Sequence, residues 1–135
     1  MDDVLLNKLS TIARCLKRIR EVYVEAQANF ASDYTRQDSV ILNLQRACEA
    51  SIDIANYLNK KKQLGIPQSS RDSFQLLSAS GIISSAVATN LKKMIGLRNI
   101  AVHDYKELNI DIVEAVVINH LVDFELFSDE IKKIL

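Results

Sequence analysis

The decapeptide Gly-Leu-Arg-Asn-Ile-Ala-Val-His-Asp-Tyr, at Gly96–Tyr105, ends a pattern of apolar residues at helical spacing. The apolar members are Val87, Leu91, Met94 and Ala101. They predict the buried stripe of an α-helix, and Arg98 lies on it, four residues after Met94. A guanidinium that is partly buried is costly unless it is paired with an anion. The stretch therefore predicts both a helix and a charged site at the end of that helix.

The spacing of the polar residues limits how such a site can be built. Arg98 and His103 are five residues apart, which places them roughly 140° apart around an ideal helix. Asn99 and His103 are four residues apart and share a face. Arg98 and His103 can therefore converge only if the helix ends near His103 and the chain turns, or if they meet across a subunit interface.

The same residues can also be interpreted as purely structural. A single histidine near an apolar face is commonly a structural residue. An arginine near the C-terminus of a helix often only donates hydrogen bonds to the last carbonyl groups of that helix. The spacing of Arg98 and His103 does not by itself decide between a structural role and a functional one.

Composition predicts a small helical protein. The 135 residues are 48% hydrophobic and 25% charged, with one Pro, three Gly and no Trp. This length suits a single domain over residues 1–135. The first ten residues do not resemble a secretory signal, and no apolar run approaches roughly eighteen residues, so we expect a cytoplasmic protein without a membrane span. Cys15 and Cys48 lie among apolar helical positions and are predicted to be reduced core thiols.

The formal net charge is zero, which argues mildly against a large nucleic-acid surface. A small basic pocket from Lys92, Lys93 and Arg98 remains compatible with it. A solvated helix face explains the two lysines more simply.

The apolar periodicity predicts an all-α four-helix bundle with a short additional helix. The predicted helices are residues 3–28, residues 35 to about 64, a short helix that ends by Gly81, a fourth helix that begins at Ser84-Ser85 and a last helix that follows Asn109. The expected start signals are a capping box of Thr35 with Asp38, a cap within Ser69–Asp72 and the cap residue Asn109. On the last helix the expected inner residues are Ile112, Ala115, Val116, Leu121, Phe124, Phe127 and Ile131. We expect no residue of catalytic type at helical spacing from His120, which is therefore predicted to be a structural or surface residue.

The second predicted helix carries a polar stripe of Arg46, Glu49, Asp53 and Asn56. A solvated face with an ion pair explains this pattern most simply. If the stripe faces the decapeptide, Glu49 or Asp53 would instead orient Arg98 or His103.

The segment Arg98–Tyr105 resembles the Arg-x4-His-x-Tyr motif of the HEPN superfamily, and most closely that of the HepT toxins. The similarity extends over most of the chain. It includes Leu44–Ala50, Asp53–Asn56, Gly65–Pro67, Asn90–Met94 and Asp123–Glu125.

The resemblance implies a four-helix-bundle domain that forms a homodimer, with two copies of the motif at a shared cleft. It also implies a metal-independent endoribonuclease acting on RNA, without a cofactor. It implies the toxin component of a type VII-like toxin–antitoxin pair. The implied antitoxin is an MntA-like nucleotidyltransferase, which neutralises the toxin by transferring AMP to Tyr105.

The residues suit this chemistry, because RNA carries its own nucleophile in the 2′-hydroxyl. His103 is expected to exchange a proton with substrate, and Arg98 to hold phosphate oxygens. Asn99 would donate to phosphate or fix the imidazole tautomer. Tyr105 has a simpler alternative role as an aromatic residue that stacks a base.

Two other classes of function remain open at this point. The chain could be the non-catalytic, nucleotide- or substrate-binding subunit of a two-component nucleotidyltransferase. It could also be a purely structural helical adaptor, which would leave the partly buried Arg98 unexplained.

Overall fold

The computed structural model describes residues 2–135, apart from the side chain of Gln27. Within that range the regular elements are six α-helices and two 3-10 segments, and no strand occurs. The helices are α1 (Asp3–Ala26), α2 (Tyr34–Lys61), α3 (Ser70–Ala79), α4 (Ser85–His103), α5 (Ile110–Asn119) and α6 (Leu121–Lys132). The all-α prediction is confirmed.

Helices α1 and α2 form an antiparallel pair, which the contacts at its two ends show. At one end, Asp2 accepts hydrogen bonds from Tyr57 Oη at 2.8 Å and Lys61 Nζ at 2.6 Å. At the other end, Glu25 of α1 lies 3.3 Å from an Arg36 nitrogen near the start of α2. The apolar face of α1 is buried against α2 and α6 inside the chain. The apolar residues of α1 recur at a near-heptad spacing, which suits either a bundle or a dimer interface, and in the structure they fill the core of the single chain.

Two predicted boundaries of α2 were wrong. Asp33, not Thr35, caps the helix, because its Oδ1 accepts the Arg36 backbone N–H at 3.1 Å. Asp38 is consequently free for another partner. The helix ends at Lys61 rather than Leu64, since Gln63 adopts a left-handed φ of 54° and the chain turns away. The predicted cap Asn109 is confirmed, and the caps Ser69 and Ser84 lie within the predicted start segments Ser69–Asp72 and Ser84-Ser85.

The predicted last helix is two helices, joined at Asn119–His120. The segment Val116–Asn119 combines three β-branched residues with an asparagine, all poor helix formers. His120 leaves the helical conformation, with φ −124° and ψ 0°. Ile112 and Ala115, which were predicted to face the core, are exposed. Val113 and Val117 are buried instead, because they lie at helical spacing from the buried residues Leu121 and Phe124.

Helix α4 is packed against its neighbours from its start to Ile95. Ser84 caps its start and donates its hydroxyl to Glu130 of α6 at 3.1 Å. Its buried residues pack into the core between α2, α3 and α6, and they are Val87, Ala88, Leu91, Met94 and Ile95. The motif at the end of α4 therefore lies on a fixed support. Across residues 2–135, no helix is both long enough and apolar enough to cross a lipid bilayer.

Candidate active site

Helix α4 ends at His103, which is one of the two arrangements that the spacing allowed, and this places the motif at the junction of a helix and a turn. Asp104 follows with φ −151° and ψ 54°, and its N–H still bonds to the Ile100 carbonyl. A 3-10 segment, Tyr105–Glu107, then reverses the chain toward α5. Arg98 and Asn99 are therefore helical, His103 is the last helical residue, and Tyr105 lies on the turn.

Arg98 is half-buried, as predicted, and points toward α2. It lines a narrow cavity together with Gln45 and Cys48 of α2. Burial raises the pKa of the Cys48 thiol to about 12, while the positive charge of Arg98 opposes this rise. The cavity has about 10 Å³ of open space, which holds roughly one water molecule. Any larger ligand of Arg98 must therefore meet the outer end of the guanidinium.

The guanidinium of Arg98 has unused hydrogen-bonding capacity. Its Nε is buried without a hydrogen-bond partner, and no ion pair to Arg98 is formed within residues 2–135. Arg36 differs from Arg98 in this respect. Its Nε also has no hydrogen-bond partner, but its other guanidinium nitrogens form ion pairs with Asp33 and Glu25. A half-buried cation without an anion is a site for an anionic ligand.

His103 is exposed, and its ring makes no hydrogen bond to any other described residue. It lies five positions after Arg98 on the helix, so the two side chains point in different directions, as their spacing predicted. The turn after His103 brings Tyr105, not His103, back toward α2. One chain therefore does not join Arg98 and His103 in a single contact.

Asn99 is half-buried and lies one helical turn before His103 on the same side of α4. Gly96 continues this side of the helix. A guanidinium nitrogen of Arg71, from α3, lies 3.4 Å from the position that a Cβ of Gly96 would occupy. Arg71 thus adds a positive charge near the motif, which the sequence analysis missed because α3 is distant in sequence.

Glu49 and Asp53 are not joined to the motif by any hydrogen bond or ion pair in the part of the chain that the structure describes. Asp53 is exposed and pairs with Lys8 of α1 at 2.9 Å. Glu49 accepts a hydrogen bond from Gln45 at 3.3 Å, and Gln45 lines the cavity beside Arg98. Asp53 therefore belongs to a solvated face with an ion pair, as the simpler interpretation has it. Glu49 is connected to Arg98 only indirectly, through Gln45.

Tyr105 is 46% exposed, and its hydroxyl donates a hydrogen bond to Oδ1 of Asp38 on α2. Desolvation, the hydrogen bond and the negative charge of Asp38 raise the pKa of Tyr105 to about 12. Sequence analysis assigned Asp38 to a helix cap and missed this contact. The structure makes it the partner of the motif tyrosine.

A mostly apolar groove of about 420 Å³ runs beside the motif, between α4 and α5. Ile100 and Ile112 line it and remain 41% and 54% exposed. Lys93 and Glu107 lie on its rim, and no ion pair joins them among residues 2–135.

His120 contacts Asp123, three residues later, with Nδ1 at 3.2 Å from Oδ2. The expectation that no residue of catalytic type lies at helical spacing from His120 was therefore wrong. Asn90 of α4 donates to the other oxygen of Asp123, also at 3.2 Å. The contacts join the α5–α6 junction to α4.

Comparison with known proteins identifies the family. The model of the family described as "Ribonuclease HepT-like" matches residues 12–131. The chain belongs to the ribonuclease HepT-like family. It is 62% identical over 132 residues to the mRNA nuclease HepT of Shewanella oneidensis, covering 98% of each chain.

Solved structures show how closely this HepT-like chain follows its relatives. It matches the tri-AMPylated Shewanella oneidensis HEPN toxin in complex with MNT antitoxin at 62% identity, with a TM-score of 0.94 and coverage of 98% and 99% of the two chains. It matches a toxin–antitoxin structure with AMP-PNP at 61% identity, with a TM-score of 0.92 and coverage of 97% and 99%. The cytosolic protein YutE of Bacillus subtilis is 18% identical, with a TM-score of 0.75 over 93% and 89%, and shares the fold.

Proposed function

We propose that this chain is the ribonuclease toxin of a toxin–antitoxin pair and cleaves RNA without a metal ion. Arg98 carries the proposal, because its half-buried guanidinium has no anionic partner within residues 2–135 and lies on the same helix as His103. The 62% identity to an mRNA nuclease supports RNA as the substrate. We propose that the toxin and its antitoxin act in the cytoplasm.

The proposed reaction uses the 2′-hydroxyl of RNA as the nucleophile. Its oxygen attacks the adjacent phosphorus, the bond from phosphorus to the 5′ oxygen breaks, and the 2′ proton is removed. Imidazole exchanges protons near neutral pH, so His103 takes the 2′ proton or protonates the leaving 5′ oxygen. Arg98 binds the phosphate oxygens where charge develops, and Asn99 assists it. The products are a 2′,3′-cyclic phosphate and a 5′-hydroxyl.

We further propose that the active form is a homodimer built on the groove between α4 and α5. Arg98 and His103 of one chain point in different directions, so a shared cleft needs one group from each copy. Ile100 and Ile112 are exposed apolar residues beside the motif. Lys93 and Glu107 on the rim of the groove would pair reciprocally across a two-fold axis. The apolar face of α1 is already buried in the core, so α1 is not available for this role.

Neutralisation is proposed to occur by transfer of AMP to Tyr105 by an MntA-like nucleotidyltransferase. Two observations support it: the related Shewanella toxin is tri-AMPylated in complex with MNT antitoxin, and Tyr105 is half exposed on the turn two residues after His103. Each AMP adds about one negative charge and much bulk, which would repel substrate phosphate from the cleft.

The test of the nuclease is an RNA-cleavage assay in EDTA with wild type and His103→Ala. Loss of general acid–base help should reduce the rate by about 10²–10⁴-fold, while the helical circular dichroism stays unchanged. Thr89→Ala is the control, because Thr89 is exposed on the same helix and its hydroxyl bonds only to the Ser85 carbonyl. Full cleavage by His103→Ala, or loss of wild-type cleavage in EDTA, contradicts the mechanism. Absence of wild-type cleavage under all conditions favours the non-catalytic binding subunit instead.

A further inference from the structure

The contact between Tyr105 and Asp38 places a free carboxylate against the hydroxyl that we propose is modified. Asp38 is exposed near the start of α2 and forms no ion pair within the described part of the chain. Because the pKa of Tyr105 is raised to about 12, its phenol is protonated at neutral pH. The hydroxyl must therefore lose its proton during any transfer reaction.

We infer that Asp38 accepts this proton when Tyr105 receives AMP. The inference rests on the modification proposed above, with a nucleoside triphosphate, ATP, as the donor. The phenolic oxygen of Tyr105 attacks the α-phosphorus, the new oxygen–phosphorus bond forms, and the bond to the pyrophosphate oxygen breaks. Pyrophosphate leaves, and the phenolic proton passes to Oδ1 of Asp38.

Geometry and chemistry both favour this assignment. Oδ1 of Asp38 already accepts the hydrogen bond along which the proton would move. An aspartate that accepts the proton of a substrate hydroxyl is the arrangement that protein kinases use for transfer to phosphorus. Here the aspartate belongs to the chain that is modified. The toxin would thus supply part of the chemistry that inactivates it.

Exposure alone does not explain why Tyr105 rather than Tyr34 would be modified. Tyr34 is 75% exposed, more than Tyr105 at 46%, and its hydroxyl bonds to no other described residue. A transferase that selected the most accessible phenol would prefer Tyr34. The carboxylate beside Tyr105 supplies a chemical reason for the opposite choice.

The decisive variant is Asp38→Asn, because asparagine keeps an oxygen that accepts the phenol hydrogen bond but is a far weaker base. Purified wild type and Asp38→Asn are incubated with the partner nucleotidyltransferase and ATP, and AMP addition is followed by intact-mass spectrometry. We expect kcat for the first addition to fall by about 10²-fold or more. Asp38→Glu, which restores a carboxylate, should recover part of the rate.

A second tyrosine–carboxylate pair provides the matched control. Tyr23 donates to Glu114 at 2.7 Å, and Glu114→Gln changes that pair in the same way at a distance from the motif. It should be modified at the wild-type rate.

The outcomes separate this inference from the proposal on which it rests. If Asp38→Asn has the wild-type kcat, or only a raised KM, Asp38 is not the proton acceptor, and modification of Tyr105 still stands. If Tyr105→Phe accepts as much AMP as wild type, or wild type accepts none, the proposed modification itself fails, and the role of Asp38 falls with it.

Discussion

At the residue scale, the site depends on side chains whose neighbours are distant in sequence. The periodicity correctly placed Arg98 half-buried on α4. It could not identify Asp38 as the partner of Tyr105, because the two lie 67 residues apart and Asp38 also fits a capping pattern. It missed Arg71 for the same reason. Patterns along one helix are local, whereas the contacts that complete a site come from other helices.

The fork of the Arg98 guanidinium gives a prediction at this scale. Arg98→Lys keeps the positive charge but loses the planar pair of donors that fits phosphate oxygens. We expect RNA cleavage to fall by about 10²-fold, comparable to removal of one donor from a charge-stabilising site. Initial cleavage rates at saturating RNA measure it.

The control for this change is Arg46→Lys, the same substitution at an exposed arginine on α2. It should leave the rate unchanged. Cleavage by Arg98→Lys at the wild-type rate would show that charge alone is sufficient at this position.

At the element scale, the sequence predicted the helices well and the transitions between them less well. Three helix starts were predicted correctly, because Ser and Asn directly before an apolar pattern are strong start signals. The break at Asn119–His120 contains neither Gly nor Pro, so no breaker residue marked it. Ile112 and Ala115 are exposed because Val113 and Val117, not they, continue the helical spacing of the buried residues Leu121 and Phe124.

The cap of α4 gives the second prediction. Ser84 Oγ accepts the Val87 N–H at 3.2 Å and donates to Glu130 at 3.1 Å, so Ser84→Ala loses both contacts. The free energy of unfolding should fall by about 1–2 kcal/mol. Urea unfolding followed by circular dichroism measures this. Ser85→Ala should be nearly neutral, since Ser85 is exposed and its hydroxyl makes no hydrogen bond to described residues; an equal effect of both changes would refute the capping role.

The contact between the start of α1 and the end of α2 makes stability depend on pH. Hydrogen bonds from Lys61 and Tyr57 lower the pKa of Asp2 from 3.8 to about 2. A carboxylate with a lowered folded pKa stabilises the protein above its unfolded pKa, and this contribution disappears as the pH falls through the folded value. Asp2→Asn should therefore lower Tm at pH 7, and the difference from wild type should vanish near pH 2.

Thermal unfolding scans from pH 7 to pH 2 test whether the Tm difference between Asp2→Asn and wild type decreases as the pH falls. Asp3→Asn is the control, because Asp3 is the exposed neighbour and forms no ion pair within residues 2–135. A Tm difference for Asp2→Asn that persists unchanged at pH 2 would contradict the role of the carboxylate.

At the scale of the whole molecule, the exposed groove between α4 and α5 predicts the assembly. Ile112→Glu places a charge in its apolar surface, which should shift the particle from twice the chain mass of 15.2 kDa to a single chain. Light scattering after size-exclusion chromatography measures the mass, and cleavage activity should fall in parallel. Ile66→Glu is the control, because Ile66 is 84% exposed after α2, away from this groove. A dimeric Ile112→Glu protein would place the interface elsewhere.

The opposed directions of Arg98 and His103 on one rigid helix have a consequence for newly synthesised toxin. If each cut needs a group from two copies, activity at low abundance rises with the square of the number of molecules. A few chains that escape their antitoxin would then be almost harmless, whereas a large excess would act abruptly. The helix geometry would thus give the cell a threshold rather than a graded response.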